Sequence, residues 1–180
     1  YRVCYRGKPT SCRSNFGGVR WQISPGDTVK IRLFNLLPPN SQSDIANMEA
    51  SMAYLNLNPT NLHFHGLEVL PNVLNNNTLG DYIFALVFNK ANGLAPDWLT
   101  TLPGHLVLYD TVNYKFDVPT THRPGLFWFH AHPHGVTQNQ ISAGMSGTIT
   151  IGQLADYVSC AGNGGAAGQA CDMAKMRVRH

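Results

Sequence analysis

Apolar and polar residues alternate along several short stretches of this chain, and a period of two marks a strand with one face in the core and one in water. Val19-Arg20-Trp21-Gln22-Ile23 is the first such stretch. Ser24-Pro25-Gly26-Asp27 has turn chemistry. Thr28 to Leu36 then places Val29, Ile31 and Leu33 on one face and Lys30 and Arg32 on the other. Val112, Tyr114, Phe116 and Val118 alternate in the same way with Asn113, Lys115 and Asp117. Further strands are expected over Leu62 to Val69, Tyr82 to Phe88, the segment beginning at Phe127, and Thr148 to Ile151. Seven or so short strands separated by turn signals predict an all-β, Greek-key β-sandwich.

The remaining segments are less regular. Residues 1–18 read as irregular, residues 71–80 as a loop and residues 89–104 as a long surface loop rich in Gly, Pro and Asn. Pro38-Pro39-Asn40 ends a strand. Ile45, Met48, Met52 and Leu55 then fall at helical spacing, which predicts a short helix in an insertion over a sandwich edge, with its methionines in the core. Ser142 to Gly147 is a run of small residues around Met145 that suits close packing. Beyond residue 152 the composition changes to a Gly/Ala-rich linker, and Met176 to His180 looks like the opening of another strand. The expected division is a sandwich domain over 1–152, then over 153–180 a linker and the start of an absent following domain. On this reading the chain is the front end of a longer protein.

Composition narrows the class. Charged residues are few, at 13%, while 17 Gly and 11 Pro fit a turn-rich all-β chain. The formal charge of +3 is mild and the Lys and Arg are scattered, so no nucleic-acid or membrane-surface footprint is expected. No apolar run is long enough to span a bilayer. Four cysteines sit in two close pairs, Cys4 with Cys12 and Cys160 with Cys171. Two local disulfides formed in an oxidising compartment are the simplest reading, since the spacings are not those of a zinc knuckle. The chain opens on Tyr1 with no leader, as expected of a mature periplasmic or secreted product.

The candidate chemistry lies in the histidines. Of eight, three fall within His130-Ala131-His132-Pro133-His134, directly behind Phe127-Trp128-Phe129, and two more form His63-Phe64-His65. Residues i and i+2 on a strand share a face, roughly 6–7 Å apart at Cα. His130 and His132 are therefore expected side by side, with Phe127 and Phe129 sharing that face and Trp128 opposite. Paired imidazoles on a stiff element suit copper, zinc, iron or nickel, and copper is favoured on raw affinity among the divalent ions. Spacing does not decide whether a pair converges on one ion or diverges onto two. No cysteine lies near either motif, which argues against a blue-copper site in this chain. His105, His122 and His180 stand alone and read as ordinary hydrogen-bonded residues.

Asn61-Leu62-His63-Phe64-His65-Gly66-Leu67-Glu68-Val69, followed by Gly125-Leu126-Phe127-Trp128-Phe129-His130-Ala131-His132-Pro133-His134-Gly135, resembles the first, N-terminal cupredoxin domain of the multicopper oxidases, the laccase-like enzymes. The resemblance runs on through Thr137-Gln138-Asn139-Gln140 and Gly144-Met145-Ser146-Gly147, includes the Pro25-Gly26-Asp27-Thr28-Val29 turn and strand, and covers most of residues 19–152. It implies a cupredoxin-like fold that supplies half the histidines of a trinuclear copper cluster, where dioxygen is reduced to water. The other half would come from the remaining cupredoxin domains of the same protein, and a small reducing substrate would be oxidised elsewhere in it. By the same resemblance His63 would bind the type 2 copper, His65 and His130 would share one type 3 copper, and His132 would bind the other. His134 would be a neighbour that orients a ligand or water. The family places a proton-supplying acid near the type 2 copper, for which Asp81 and Glu68 are the candidates. The family's type 1 copper uses a Cys and two His of its last domain, and this chain has no equivalent, so the isolated chain is expected to be inactive.

Other readings of the residues stay open at this stage. They are a stand-alone copper-binding module without catalysis, a mononuclear zinc enzyme using one histidine pair and a further His, and a sandwich in which the histidines bind no metal.

Overall fold

The computed structural model describes residues 1–5, 8–14, 18–41 and 50–152. They form the expected all-β sandwich, built on two four-stranded sheets. Strand β3 (Val19–Ile23) and strand β4 (Thr28–Phe34) are joined by the Ser24–Asp27 turn, where the Asp27 N–H donates to the Ser24 carbonyl at 3.1 Å. The chain changes sheets at that turn. Strand β10 (Thr111–Asp117) lies antiparallel to β4 over seven residue pairs, from Thr111↔Phe34 to Asp117↔Thr28. Beyond β10 the short strands β7 (Thr78–Leu79) and β6 (Val73–Asn75) complete a four-stranded sheet in the order β4-β10-β7-β6. The second sheet has the order β3-β12-β11-β5, with β5 at His63–His65, β11 at Gly125–His130 and β12 at Ser146–Ile151.

Between the sheets lies the core that the alternation foretold. Ile23, Phe64, Leu79, Val112, Tyr114, Phe116, Phe129, Ile149 and Ile151 are all buried in it. Each fully buried Leu, Ile or Phe contributes roughly 1.5–3 kcal/mol by leaving water. Phe129 stacks on Trp21 with ring centroids 4.1 Å apart. Its ring occupies the space a side chain at Gly147 would need, since a Cβ there would come within 2.6 Å of it.

Several segments depart from expectation. Residues 1–18 are not wholly irregular: β1 (Arg2–Tyr5) and β2 (Lys8–Ser14) pair antiparallel, and the Cys4–Cys12 disulfide bridges them. The second cysteine pair, Cys160 and Cys171, and the linker over 153–180 lie outside the described residues. The first histidine strand is three residues long, because Gly66 turns the chain at φ +78° and a Cβ there would meet the Phe127 ring at 2.9 Å. Residues 71–80 include the β6–β7 pair around a turn at Asn76-Asn77. The Tyr82–Phe88 strand contracts to β8 (Ala85–Phe88).

Another strand, β9 (Leu106–Tyr109), lies parallel to β8. Its sequence runs straight into β10, and only Asp110, at φ +62°, breaks the two apart. The stretch 89–104 is more than a surface loop. It contains a 3₁₀ turn at Lys90–Asn92 and the single-turn helix α1 (Asp97–Thr100), and it buries Ala95 and Leu99 against Leu86 and Phe88. Elements this short show no readable period.

The helix expected in the insertion is a 3₁₀ helix, Ala50–Leu57, and Leu55 on it is fully buried. Tyr54 and Leu57 pack against the same second cluster as Phe88. Ile45 and Met48 lie outside the described residues. No helix among the described residues is long and apolar enough to cross a membrane.

Candidate metal centre

The two histidine motifs meet because β5 and β11 are hydrogen-bonded neighbours. Their register pairs His130 with His63 and Trp128 with His65. Strand alternation turns the even-numbered residues of β11 outward and the odd-numbered ones into the core. Trp128 therefore shares the face of His130, while Phe127 and Phe129 face the other way, which reverses the expectation for this aromatic run. Trp128 stacks on both imidazoles, 4.2 Å from the His65 ring and 4.7 Å from the His130 ring.

Four rings come together. Ring-centroid separations are 4.5 Å for His63–His65, 4.9 Å for His65–His130, 5.1 Å for His63–His132 and 5.5 Å for His130–His132. His134 extends the row outward, its ring 5.2 Å from that of His132 and exposed. His132 lies beyond the end of β11, so the sheet does not hold it. Its backbone N–H donates to Oδ1 of Asn61 at 2.7 Å, and the preceding Ala131 N–H donates to the Met145 carbonyl at 3.0 Å. Helix α2 (Thr137–Ser142) follows and is anchored by buried Gln140. The Gln140 amide accepts from the Thr60 hydroxyl at 2.8 Å and donates to the Pro59 carbonyl at 2.8 Å.

Hydrogen bonds sort the ring nitrogens. His63 Nδ1 donates to the Asp81 carboxylate, 3.0 and 3.1 Å from its two oxygens, and Asp81 Oδ1 also accepts from the Phe64 N–H at 3.0 Å. His130 Nδ1 donates to the Ala131 carbonyl at 2.6 Å. In both residues the proton is thereby kept on Nδ1 and the lone pair on Nε2. His65 Nε2 and His130 Nε2 are 2.8 Å apart. Burial, followed by the neighbouring His63 and His130, holds the His65 ring below the usual histidine range against an opposing pull from Asp81. His132 is lowered as well, by burial first and then by His63, His130 and His134. Both shifts favour neutral imidazole, the form that binds a metal.

The donor type, neutral imidazole, suits copper, as it does zinc, iron and nickel. Among the described residues no three His, Cys, Asp or Glu side chains form a complete site for one ion.

Of the two candidate acids, Asp81 is the one placed at a histidine. Glu68 is exposed, and its backbone N–H donates to Nε2 of His122 at 3.0 Å. His122 is buried with its other nitrogen donating to the Arg123 carbonyl at 2.8 Å, the hydrogen-bonded role expected of a lone histidine. His105 departs from that role, because its Nδ1 is buried without a partner. His180 lies outside the described residues. Asn61 is the residue at this site whose contact the histidine spacing did not single out. The signal was present in the register, since continuing the pairing from His130↔His63 brings Asn61 opposite His132.

Fold and site together are a β-sandwich with imidazoles grouped at the outer face of one sheet. No protein-family model matches the chain, and no curated protein matches its sequence. Among solved structures it is similar to CueO, a bacterial laccase-like multi-copper oxidase from the lignin-degrading bacterium Ochrobactrum sp. with oxidase activity towards lignin model compounds and lignosulfonate. The identity is 16% and the TM-score 0.45. The match covers 81% of this chain and 22% of that one, so the chain spans about a fifth of that oxidase's length.

Proposed function

We propose that this chain is the N-terminal cupredoxin domain of a laccase-like multicopper oxidase, secreted or periplasmic, and that it supplies half the ligands of a trinuclear copper cluster. His63 holds the type 2 copper, His65 and His130 share one type 3 copper, and His132 holds the other. The observation that carries this reading is the grouping of four imidazoles from two distant segments, with the Nδ1 atoms of His63 and His130 engaged by Asp81 and the Ala131 carbonyl so that their Nε2 atoms face the other rings. The Cys4–Cys12 disulfide supports an oxidising compartment.

Bound copper would pass electrons taken from the reducing substrate on to dioxygen, which takes up protons to become water. The chain's own residues set the stage for that chemistry. Asp81 orients His63 by accepting its Nδ1 proton, and it is the acid nearest the site from which protons can be delivered. The Ala131 carbonyl does the same orienting work for His130. Trp128 covers the His65–His130 pair and shields one side of it from water. The remaining cupredoxin domains of the protein provide the other ligands and the oxidation of a small reducing substrate.

The test is metal analysis and absorption spectroscopy of the purified chain. Copper is expected to bind weakly and without an intense blue band, and His63→Ala or His130→Ala should abolish what binding there is. An intense blue band from this chain alone contradicts the assignment. Tight, stoichiometric copper without another domain favours a stand-alone copper-binding module, and a preference for zinc favours the mononuclear zinc reading.

A further inference from the structure

We infer that Asn61 is the positioning residue for His132. It substitutes for the strand ladder at the point where the ladder fails. The pairing of β11 with β5 runs antiparallel and ends at His130↔His63. Two steps further the same register sets His132 opposite Asn61, but the backbones no longer bond there. Leu62 and Ala131 do not bridge the strands there, because the Leu62 N–H donates to the Tyr114 hydroxyl at 2.9 Å and the Ala131 N–H faces the other neighbour of β11, at the Met145 carbonyl. A backbone carbonyl that would have met the His132 N–H is missing, and the side-chain carbonyl of Asn61 takes its place at 2.7 Å.

The amide can do this in one orientation only. Asn61 is fully buried, and its Nδ2 donates to two backbone carbonyls, Ile83 at 3.0 Å and Ala85 at 2.9 Å. Those acceptors demand the nitrogen on their side, so Oδ1 must face His132. The turn that accepts the Nδ2 protons begins just after Asp81, the residue that holds His63. One side chain thus ties together the segment leading into His63, the turn behind Asp81 and the unsheeted His132. The other three histidines lie on paired strand residues and do not depend on it. For metal binding the inference rests on the copper reading above. The placement of His132 stands on the geometry alone.

The experiment uses the 180-residue chain and nuclear magnetic resonance. In the metal-free wild type, the His132 amide should be protected from hydrogen exchange as strongly as the paired amides of β11, while the His134 amide exchanges freely. In Asn61→Ala, protection at His132 should fall by about tenfold or more, the scale of a lost buried hydrogen bond. The His132 ring nitrogen shifts should move while those of His65 and His130 hold. Substoichiometric Cu(II) should broaden the His63, His65, His130 and His132 ring signals in the wild type. An unprotected His132 amide in the wild type overturns the inference, and that measurement decides the matter even if the variant fails to fold. Uniform movement of all four rings in a folded variant overturns it too. A wild type that shows the expected protection but no Cu(II) broadening at any histidine removes the copper reading and leaves the positioning role intact.

Discussion

The two four-stranded sheets obey the same alternation and use their outer faces in opposite ways. On the β4–β10 pair the outward residues include Lys30, Arg32, Asn113, Lys115 and Asp117, which are mostly exposed and carry charges or amides. Arg32 Nε donates to Asn113 Oδ1 at 3.0 Å, and Lys30 sits directly opposite Lys115. On the β11–β5 pair the outward residues are Trp128, His130, His63 and His65, packed ring on ring, with His130 only 5% exposed. The inner faces are interchangeable in kind, both aliphatic and aromatic. The first outer face is built to sit in water, and the second to keep water off nitrogen lone pairs. The lesson is that alternation locates the core but is silent about what the other face is for.

Substitutions can break this comparison where it is strongest. Phe129→Ala, on the inner face behind the histidines, should cost about 3–5 kcal/mol in unfolding free energy by chemical denaturation. A loss under about 1 kcal/mol would mean that the stacking on Trp21 and the fit against Gly147 do not hold the site sheet in place. Tyr114→Phe, in the facing sheet, removes the acceptor for the buried Leu62 N–H just before His63 and should cost about 1–3 kcal/mol.

The outer faces should separate next. His65 and His132 have lowered proton affinity in the folded chain, so the unfolded chain takes up protons first as the pH falls. Their contribution to stability is full above about pH 6.5 and is lost progressively as the pH drops through that value toward the lowered folded one. Denaturation midpoints at a series of pH values should fall over this window. The double variant His65→Ala with His132→Ala should flatten that slope, and an unchanged slope would place the acid sensitivity elsewhere. The smallest effect belongs to the wet face. Lys115→Glu converts a like-charge cross-strand pair into an opposite one and should raise stability by roughly 0.2–1 kcal/mol, less at high salt. A loss of stability would show that Lys30 and Lys115 are not the solvated neighbours their register makes them.

Residue order alone determined a good deal here. A two-residue period over 19–23, 28–34 and 111–118 is enough to call a sandwich and most of its core, because burying one face of a strand leaves no other arrangement of its side chains. The two His-x-His motifs were legible for the same local reason, and the family resemblance put forward Asp81 and Glu68 as acids near them. What only tertiary structure decided depends on residues far apart in the chain. It paired β5 with β11, which turned two separate motifs into one cluster. It stacked Trp128 on His65 as well as on His130, because the register of β11 with β5 sets Trp128 opposite His65. It also gave His132 its partner in Asn61, because a hydrogen bond beyond the end of a ladder leaves no periodic trace in the sequence.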